Sequence, residues 1–212
     1  MNRDFLVGGD NRPMQFELFP TNSSGFAPPV GVTYVPGLVP EHRALFRQLA
    51  STVRWTARYA TRETITWGES YHLRKQIRTR HPWPDFLQPL ALAIESRFGF
   101  LPNNCVANHY PNGNHSIGFH SDQGMEIHNG TGVVILSLGA VRHMVLRRTA
   151  APSVRYHYAL EPGSAFHMDD SSQAVWQHGI LPEPGRGRRI GLSFRRITDQ
   201  MLTPGSANRI SA

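Results

Sequence analysis

The sequence predicts a mainly β fold with flanking helices, an α+β arrangement, on three observations. From about residue 102 the chain breaks into short strand-like runs, roughly 8–15 residues apart and punctuated by Gly, Pro and Asn. That pattern belongs to a sandwich or a barrel. Upstream, residues 38–60 and 85–98 carry the apolar residues of helices. The 212 residues (23.8 kDa) are 40% apolar and 17% charged, which suits one domain with a sizeable core and excludes a high-charge disordered chain.

The elements follow in order. Residues 1–30, rich in Gly, Pro, Asn and Ser, read as an N-terminal arm. Residues 31–101 form an N-terminal helical segment. In it Leu45, Leu49 and Val53 recur every fourth residue beside Phe46, with Pro40 and Glu41 near the first turn. Residues 61–81 differ: Thr64 and Thr66 alternate before Trp67-Gly68, and four arginines and a lysine face two glutamates. This run reads as a strand, a turn and a basic strand or loop. Phe86, Leu87, Leu90, Leu92, Ile94 and Phe98, an apolar stripe of mixed spacing, mark the second helix. Residues 102–198 form the β core, with runs at Val106–Tyr110, Ile117–Asp122, Gly132–Gly139, His143–Arg148, Arg155–Leu160, Ser164–Met168, Val175–Ile180 and Arg189–Ile197. Residues 199–212 are a polar tail.

Composition narrows the function classes. No stretch is apolar enough to span a bilayer, so no membrane partner is expected. The single cysteine, Cys105, excludes an internal disulfide and a zinc site built on several cysteines. It sits at the start of a strand, where burial is expected rather than nucleophilic catalysis. The N-terminus, with Arg3, Asp4 and Asp10, has no apolar signal-like run, and a cytoplasmic location is expected. The net charge is +7, and 21 of the 22 basic residues are arginine, Lys75 being the exception. Arginine grips phosphate or carboxylate with a planar fork of donors. The bias fits anionic partners and genome-wide codon preference equally.

Eleven histidines invite a search for metal ligands. In NHYPNGNHSIGFHSDQG, His120 and Asp122 form an H-x-D. On a strand, positions i and i+2 face one side, so imidazole and carboxylate converge. His178, 56 residues beyond Asp122 in another strand-like run, supplies a third ligand. Two histidines and a carboxylate on one face of an octahedron leave three open positions, which suits non-haem Fe(II) with a co-substrate and O2. An H-x-D alone is weak, and two further features support it. In Arg189–Arg195 (RIGLSFR), Ile190, Leu192 and Phe194 share one face, and Arg189, Gly191, Ser193 and Arg195 share the other. Two guanidiniums on an inner face are costly unless an anion binds, and a dicarboxylate would engage both. Asn108 and Tyr110, again i and i+2, add neutral donors for a carboxylate.

Taken in order, N-x-Y, G-x-x-S-I-x-x-H-x-D, S-L-G, Q-x-x-W-x-H-G and R-x-x-L-S-F-R resemble the AlkB family of Fe(II)/2-oxoglutarate dioxygenases over roughly residues 60–197. The run ILSLGAVRHMVLRR is similar to the family's S-L-G-A-x-R strand pair, and TRETITWG and PWPDFL resemble the branch near the double-stranded-DNA repair homologues.

The resemblance implies a double-stranded β-helix, or jelly roll, with N-terminal helices and a nucleotide-recognition lid. It implies Fe(II) held by His120, Asp122 and His178. It implies 2-oxoglutarate held by Asn108, Tyr110, Arg189, Ser193 and Arg195, without settling which arginine holds which end. The implied reaction consumes O2 and 2-oxoglutarate, releases succinate and CO2, and hydroxylates a C–H bond. In the repair enzymes that bond belongs to an N-methyl group on a base, which then leaves as formaldehyde. The implied partner is alkylated DNA or RNA, bound by a monomer.

In the lid-like run, Trp67 or Tyr71 would stack on a flipped base, and Arg74, Lys75, Arg78 and Arg80 would contact phosphates. The structural alternative makes Trp67 a core aromatic and the charges a solvated face. Two departures stand out. Gln123-Gly124 follows the H-x-D where repair members carry acidic residues, although Gln123 can still hydrogen-bond a base edge. Gly191 stands where the family commonly has Asn. The first departure motivates a second reading, an AlkB-like hydroxylase of a small molecule or a protein.

Overall fold

The computed structural model describes residues 29–72, 77–122 and 127–198. The arm expected over 1–30 lies almost wholly outside the described residues, and the tail at 199–212 lies entirely outside them.

Twelve strands and three helices are described. They run β1 (Val32–Val35), α1 (His42–Thr52), β2 (Thr56–Tyr59), β3 (Arg62–His72), β4 (Ile77–His81), α2 (Leu87–Phe98), β5 (Asn104–Tyr110), β6 (Ile117–His120) and β7 (Val133–Gly139). Then come β8 (Arg142–Arg148), β9 (Ala151–Leu160), β10 (Ala165–Met168), α3 (Asp170–Val175), β11 (Trp176–Ile180) and β12 (Arg189–Arg195). A major sheet has the order β1-β10-β7-β12-β5-β3-β2, with β4 added on β3, and a minor sheet has the order β6-β11-β8-β9. Every pairing between named strands is antiparallel. Strands from the 31–101 segment therefore extend the sheet that holds the β core.

Two apolar layers follow from strand alternation. Ile190, Leu192 and Phe194 of β12 join Cys105, Ala107, Val134, Leu136 and Leu138 on the helical side, against Leu45 and Leu49 of α1 and Leu87, Leu90 and Ile94 of α2. Cys105 is buried there as expected, and burial raises its thiol well above the ordinary range. The second layer joins the two sheets. Tyr110, Val133, Ile135 and Phe166 meet Met144, Leu146, Tyr156 and Ile180. Strand β7, VVILSLG, is covered on both faces, which explains its unbroken apolar run.

Three elements escaped the sequence. The helix expected over 38–60 ends at Thr52, with Val53 N–H on the Leu49 carbonyl, and the chain is a strand again by Thr56. Strand β1 is only four residues and pairs with β10 far along the chain. Helix α3 has no apolar period but carries its cap in the sequence: Asp169 Oδ1 accepts from Ser172 N–H at 2.8 Å. No helix among the described residues is long and apolar enough to cross a membrane.

Arg142 ties two loops to the core. Its side chain is fully buried and donates to the His115 carbonyl at 3.0 Å and to the Leu181 carbonyl, and its Nε lies 3.3 Å from Glu183 Oε1. Glu183 also accepts from the His143 backbone N–H at 2.8 Å. Burial opposes ionisation of Glu183, but these donors outweigh it and hold its carboxyl below the ordinary range. Replacing Arg142 with Ala takes this donor from two loop carbonyls and removes the buried cation facing Glu183, and is expected to cost on the order of 3 kcal/mol in urea unfolding.

Candidate active site

His120 is the last residue of β6, and its partner across the ladder is His178 of β11. The two rings lie with centroids 4.2 Å apart. His120 Nδ1–H donates to the Gly118 carbonyl at 2.9 Å, which leaves Nε2 with a lone pair facing Asp122 Oδ1, 3.9 Å away. Asp122 lies beyond the end of β6, so the strand geometry expected for the H-x-D holds only as far as His120. Two other contacts bring the carboxylate back: its backbone N–H donates to Gln173 Oε1 at 2.9 Å, and Arg195 donates to Oδ2 at 2.8 Å.

The potential ligand atoms of His120, Asp122 and His178 all lie within 4.8 Å of one another. This donor set fits Fe(II). Asp122 Oδ1 is buried with no hydrogen-bond partner, as a cation ligand would be, and Oδ2 is already neutralised by Arg195. Burial drives the His178 imidazole down to about 3, so it stays neutral and able to coordinate. Burial also opposes the Asp122 charge, but Arg195 and the two imidazoles outweigh it and hold the carboxyl below its usual range.

The residues expected to hold the co-substrate lie on the same interior surface. Strand β12 pairs with β5 so that Arg189, Gly191 and Arg195 stand beside Tyr110, Asn108 and Asn104. Arg189 and Arg195 are 1% and 6% exposed, and Ser193 is buried between them. Their different partners separate their places. Arg195 sits on Asp122 of the candidate metal cluster, whereas Arg189 Nη2 donates to Ser137 Oγ at 3.0 Å and its guanidinium lies 5.3 Å from the Tyr110 ring. Arg195 is therefore at the iron end and Arg189 at the far end. The Nε of each is buried without a partner, a donor suited to a carboxylate. Burial raises the Tyr110 phenol above its ordinary value, so it remains a donor. Asn108 Oδ1 accepts from Arg62 Nε at 2.8 Å, which leaves its N–H groups as its remaining donors.

These residues line one cavity of about 920 Å³. Beyond the iron ligands its wall is made by β3 and β4, through Thr64, Thr66, Ser70, Thr79 and His81. Thr79 and Ser70 share a 2.6 Å hydroxyl contact.

Trp67 does not take the base-stacking place considered for it. It alternates with Thr64 and Thr66, turns to the helical layer at 6% exposure, and packs edge-on against Phe86 at 5.5 Å. Tyr71 pairs with Arg78 in the β3–β4 register, but the side chains of both lie outside the described residues, as do Arg74, Lys75 and Gln123 entirely. Arg80 is exposed, 3.4 Å from Glu69. The sequence reading missed Arg62, Ser137 and Gln173. Ser137 and Gln173 stood in the quoted S-L-G and Q-x-x-W-x-H-G runs, but nothing local reveals what a side chain touches across the sheet.

A pair of histidines and a carboxylate that could hold a metal ion, set inside an antiparallel double sheet, fits an oxygenase of the iron and 2-oxoglutarate class. The 2OG-Fe(II) oxygenase superfamily model matches residues 32–195, and the chain belongs to that superfamily, within its AlkB branch. It is 30% identical over 195 residues to human alpha-ketoglutarate-dependent dioxygenase alkB homolog 3, covering 80% of this chain and 68% of that protein. It is 27% identical over 147 residues to human DNA oxidative demethylase ALKBH2, covering 64% of this chain and 56% of that protein. A solved structure described as that of OsALKBH1 superposes with a TM-score of 0.59 at 16% identity, over 81% of this chain and 100% of that one, a likeness of fold. The jelly roll and the Fe(II), 2-oxoglutarate and O2 requirement implied by the resemblance hold.

Two outcomes are expected. Asp122→Ala removes the anionic ligand and strands Arg195, so Mn(II) affinity, read by calorimetry, falls by on the order of a hundredfold. His178 is protonated near 6.5 in the unfolded chain but only near 3 in the fold. The metal-free protein therefore loses stability as pH falls below about 6.5, because the unfolded state then binds the extra proton. Urea unfolding at pH 7 and pH 5 measures the loss, and His178→Gln reduces it.

Proposed function

We propose that this chain oxidatively removes N-alkyl groups from bases of DNA or RNA, releasing formaldehyde, succinate and CO2. The observation that carries this reading is the extent of the cavity. At about 920 Å³ it runs past the co-substrate residues to a wall of hydroxyls and His81 on β3 and β4, beside the iron ligands. A pocket of that size has room for 2-oxoglutarate and an extruded base together. The likeness to alkB homolog 3, and to a relative described as a DNA oxidative demethylase, supports the same reading.

Bound iron, with O2 and 2-oxoglutarate, supplies the oxidation of an alkyl C–H bond. The chain's own residues do the positioning. Arg195 holds the Asp122 carboxylate so that one oxygen faces the metal. Arg189, Tyr110 and Asn108 present donors to the co-substrate's far end. The hydroxyls of Thr64, Thr66, Ser70 and Thr79 offer both donors and acceptors to the edge of a base. The second reading, a hydroxylase of a small molecule or a protein, is favoured by Gln123-Gly124 in place of acidic residues.

Protein supplied with Fe(II), 2-oxoglutarate and ascorbate is expected to convert oligonucleotides carrying 1-methyladenine or 3-methylcytosine to the unmodified base, read by mass spectrometry. Thr66→Phe fills the hydroxyl wall. It is expected to lower base repair by on the order of tenfold or more while uncoupled succinate formation persists. Succinate formation stimulated by metabolites or peptides, with no turnover of any alkylated oligonucleotide, would overturn the proposal in favour of the second reading.

A further inference from the structure

Gly191 is the point where the chain departs from the family's Asn, and its surroundings give that departure a purpose. The residue lies on β12 between Asn108 of β5 and Ser137 of β7, on the co-substrate face. A Cβ built at this position would stand 2.9 Å from Arg189 Nη1, 3.3 Å from Nη2 and 3.4 Å from Cζ. The end of the guanidinium therefore occupies the space that a side chain at 191 would take. Arg189 does not project straight out from its own place on the strand. It folds two residues along β12, toward the iron end, and lands on Ser137 Oγ at 3.0 Å.

That seat is held by two neighbours. Arg189 is 1% exposed, with the Tyr110 ring at 5.3 Å, so its terminus is not a free end that swings into solvent. Admitting a methyl at this position shifts the guanidinium by a few tenths of an ångström, against the Ser137 contact and the packing on Tyr110. The broad guanidinium end needs this clearance, whereas the slimmer end of a lysine does not.

We propose that Gly191 is a positioning residue for 2-oxoglutarate. By leaving the strand bare it seats the Arg189 guanidinium, and so sets how far from the iron the co-substrate's distal carboxylate is gripped. The inference rests on the iron and 2-oxoglutarate chemistry of the family and not on the identity of the alkylated substrate.

The test is equilibrium binding of 2-oxoglutarate to the Mn(II)-loaded full chain without oxygen, so it needs no turnover and no nucleic acid. Gly191→Ala is expected to weaken 2-oxoglutarate on the order of tenfold, the loss of one charge-assisted contact, with Mn(II) affinity unchanged. In an Arg189→Lys background the same change is expected to cost less than about twofold, because no planar group remains to be displaced. Thermal unfolding accompanies each variant. If Gly191→Ala fails to fold but the double variant folds and binds like Arg189→Lys alone, the clash with the guanidinium is still the cause and the proposal stands. Unchanged 2-oxoglutarate affinity in Gly191→Ala, an equal loss in both backgrounds, or failure of both variants to fold would overturn it.

Discussion

Arg195 and Asp122 meet at 2.8 Å inside the double sheet, at 6% and 2% exposure, and much of the interior is arranged around that pair. Each charge alone would cost several kcal/mol to bury. Together they are tolerable, and the geometry is asymmetric in a useful way. One carboxylate oxygen is spent on the guanidinium, while the other is left buried and unpaired beside two imidazoles. Such a cluster suits a cation. Arg189 poses the opposite problem at the far end of the same strand face. Among the described residues it has no carboxylate within ion-pair distance, and a dicarboxylate co-substrate meets that need.

The pair also explains how a ligand outside regular structure stays in place. Strand β6 ends at His120, so the ladder cannot orient Asp122. Gln173, at the heart of the short helix α3, accepts from the Asp122 backbone, and Arg195 holds its side chain. His178 follows directly after α3 on β11 and pairs with His120. One turn of helix thus couples the carboxylate to the second imidazole. Arg142 does comparable work at the other end, where it joins the loops at His115 and Leu181 beneath the Tyr110 ring.

The arginine excess takes on a different meaning in three dimensions. Among the described residues, Arg142, Arg189 and Arg195 are interior groups that hold carbonyls, a hydroxyl and carboxylates. Arg147 lies 4.0 Å from the Phe119 ring and hydrogen-bonds Gln177 on the outer face of the minor sheet. The planar, always charged guanidinium suits each of these places, and a lysine would fit none of them as well. Codon preference and function need not compete where one residue type serves both.

The sequence by itself determined the β core, the helical layer, the convergence of His120, Asp122 and His178, and the inner face of β12. Each rests on a local signal: alternation along a strand, an i, i+2 pair, or turn residues between apolar runs. Tertiary structure alone decided the rest. It put Trp67 in the core, because both faces of β3 are walls and alternation does not say which one faces the cavity. It separated Arg195 at the iron from Arg189 at the far end, a matter of partners 73 and 52 residues away in sequence. It also placed Arg62 on Asn108 and bare Gly191 under a guanidinium. Hydrogen bonds and close approaches between strands distant in sequence leave no periodic trace along the chain, so only the assembled sheets reveal them.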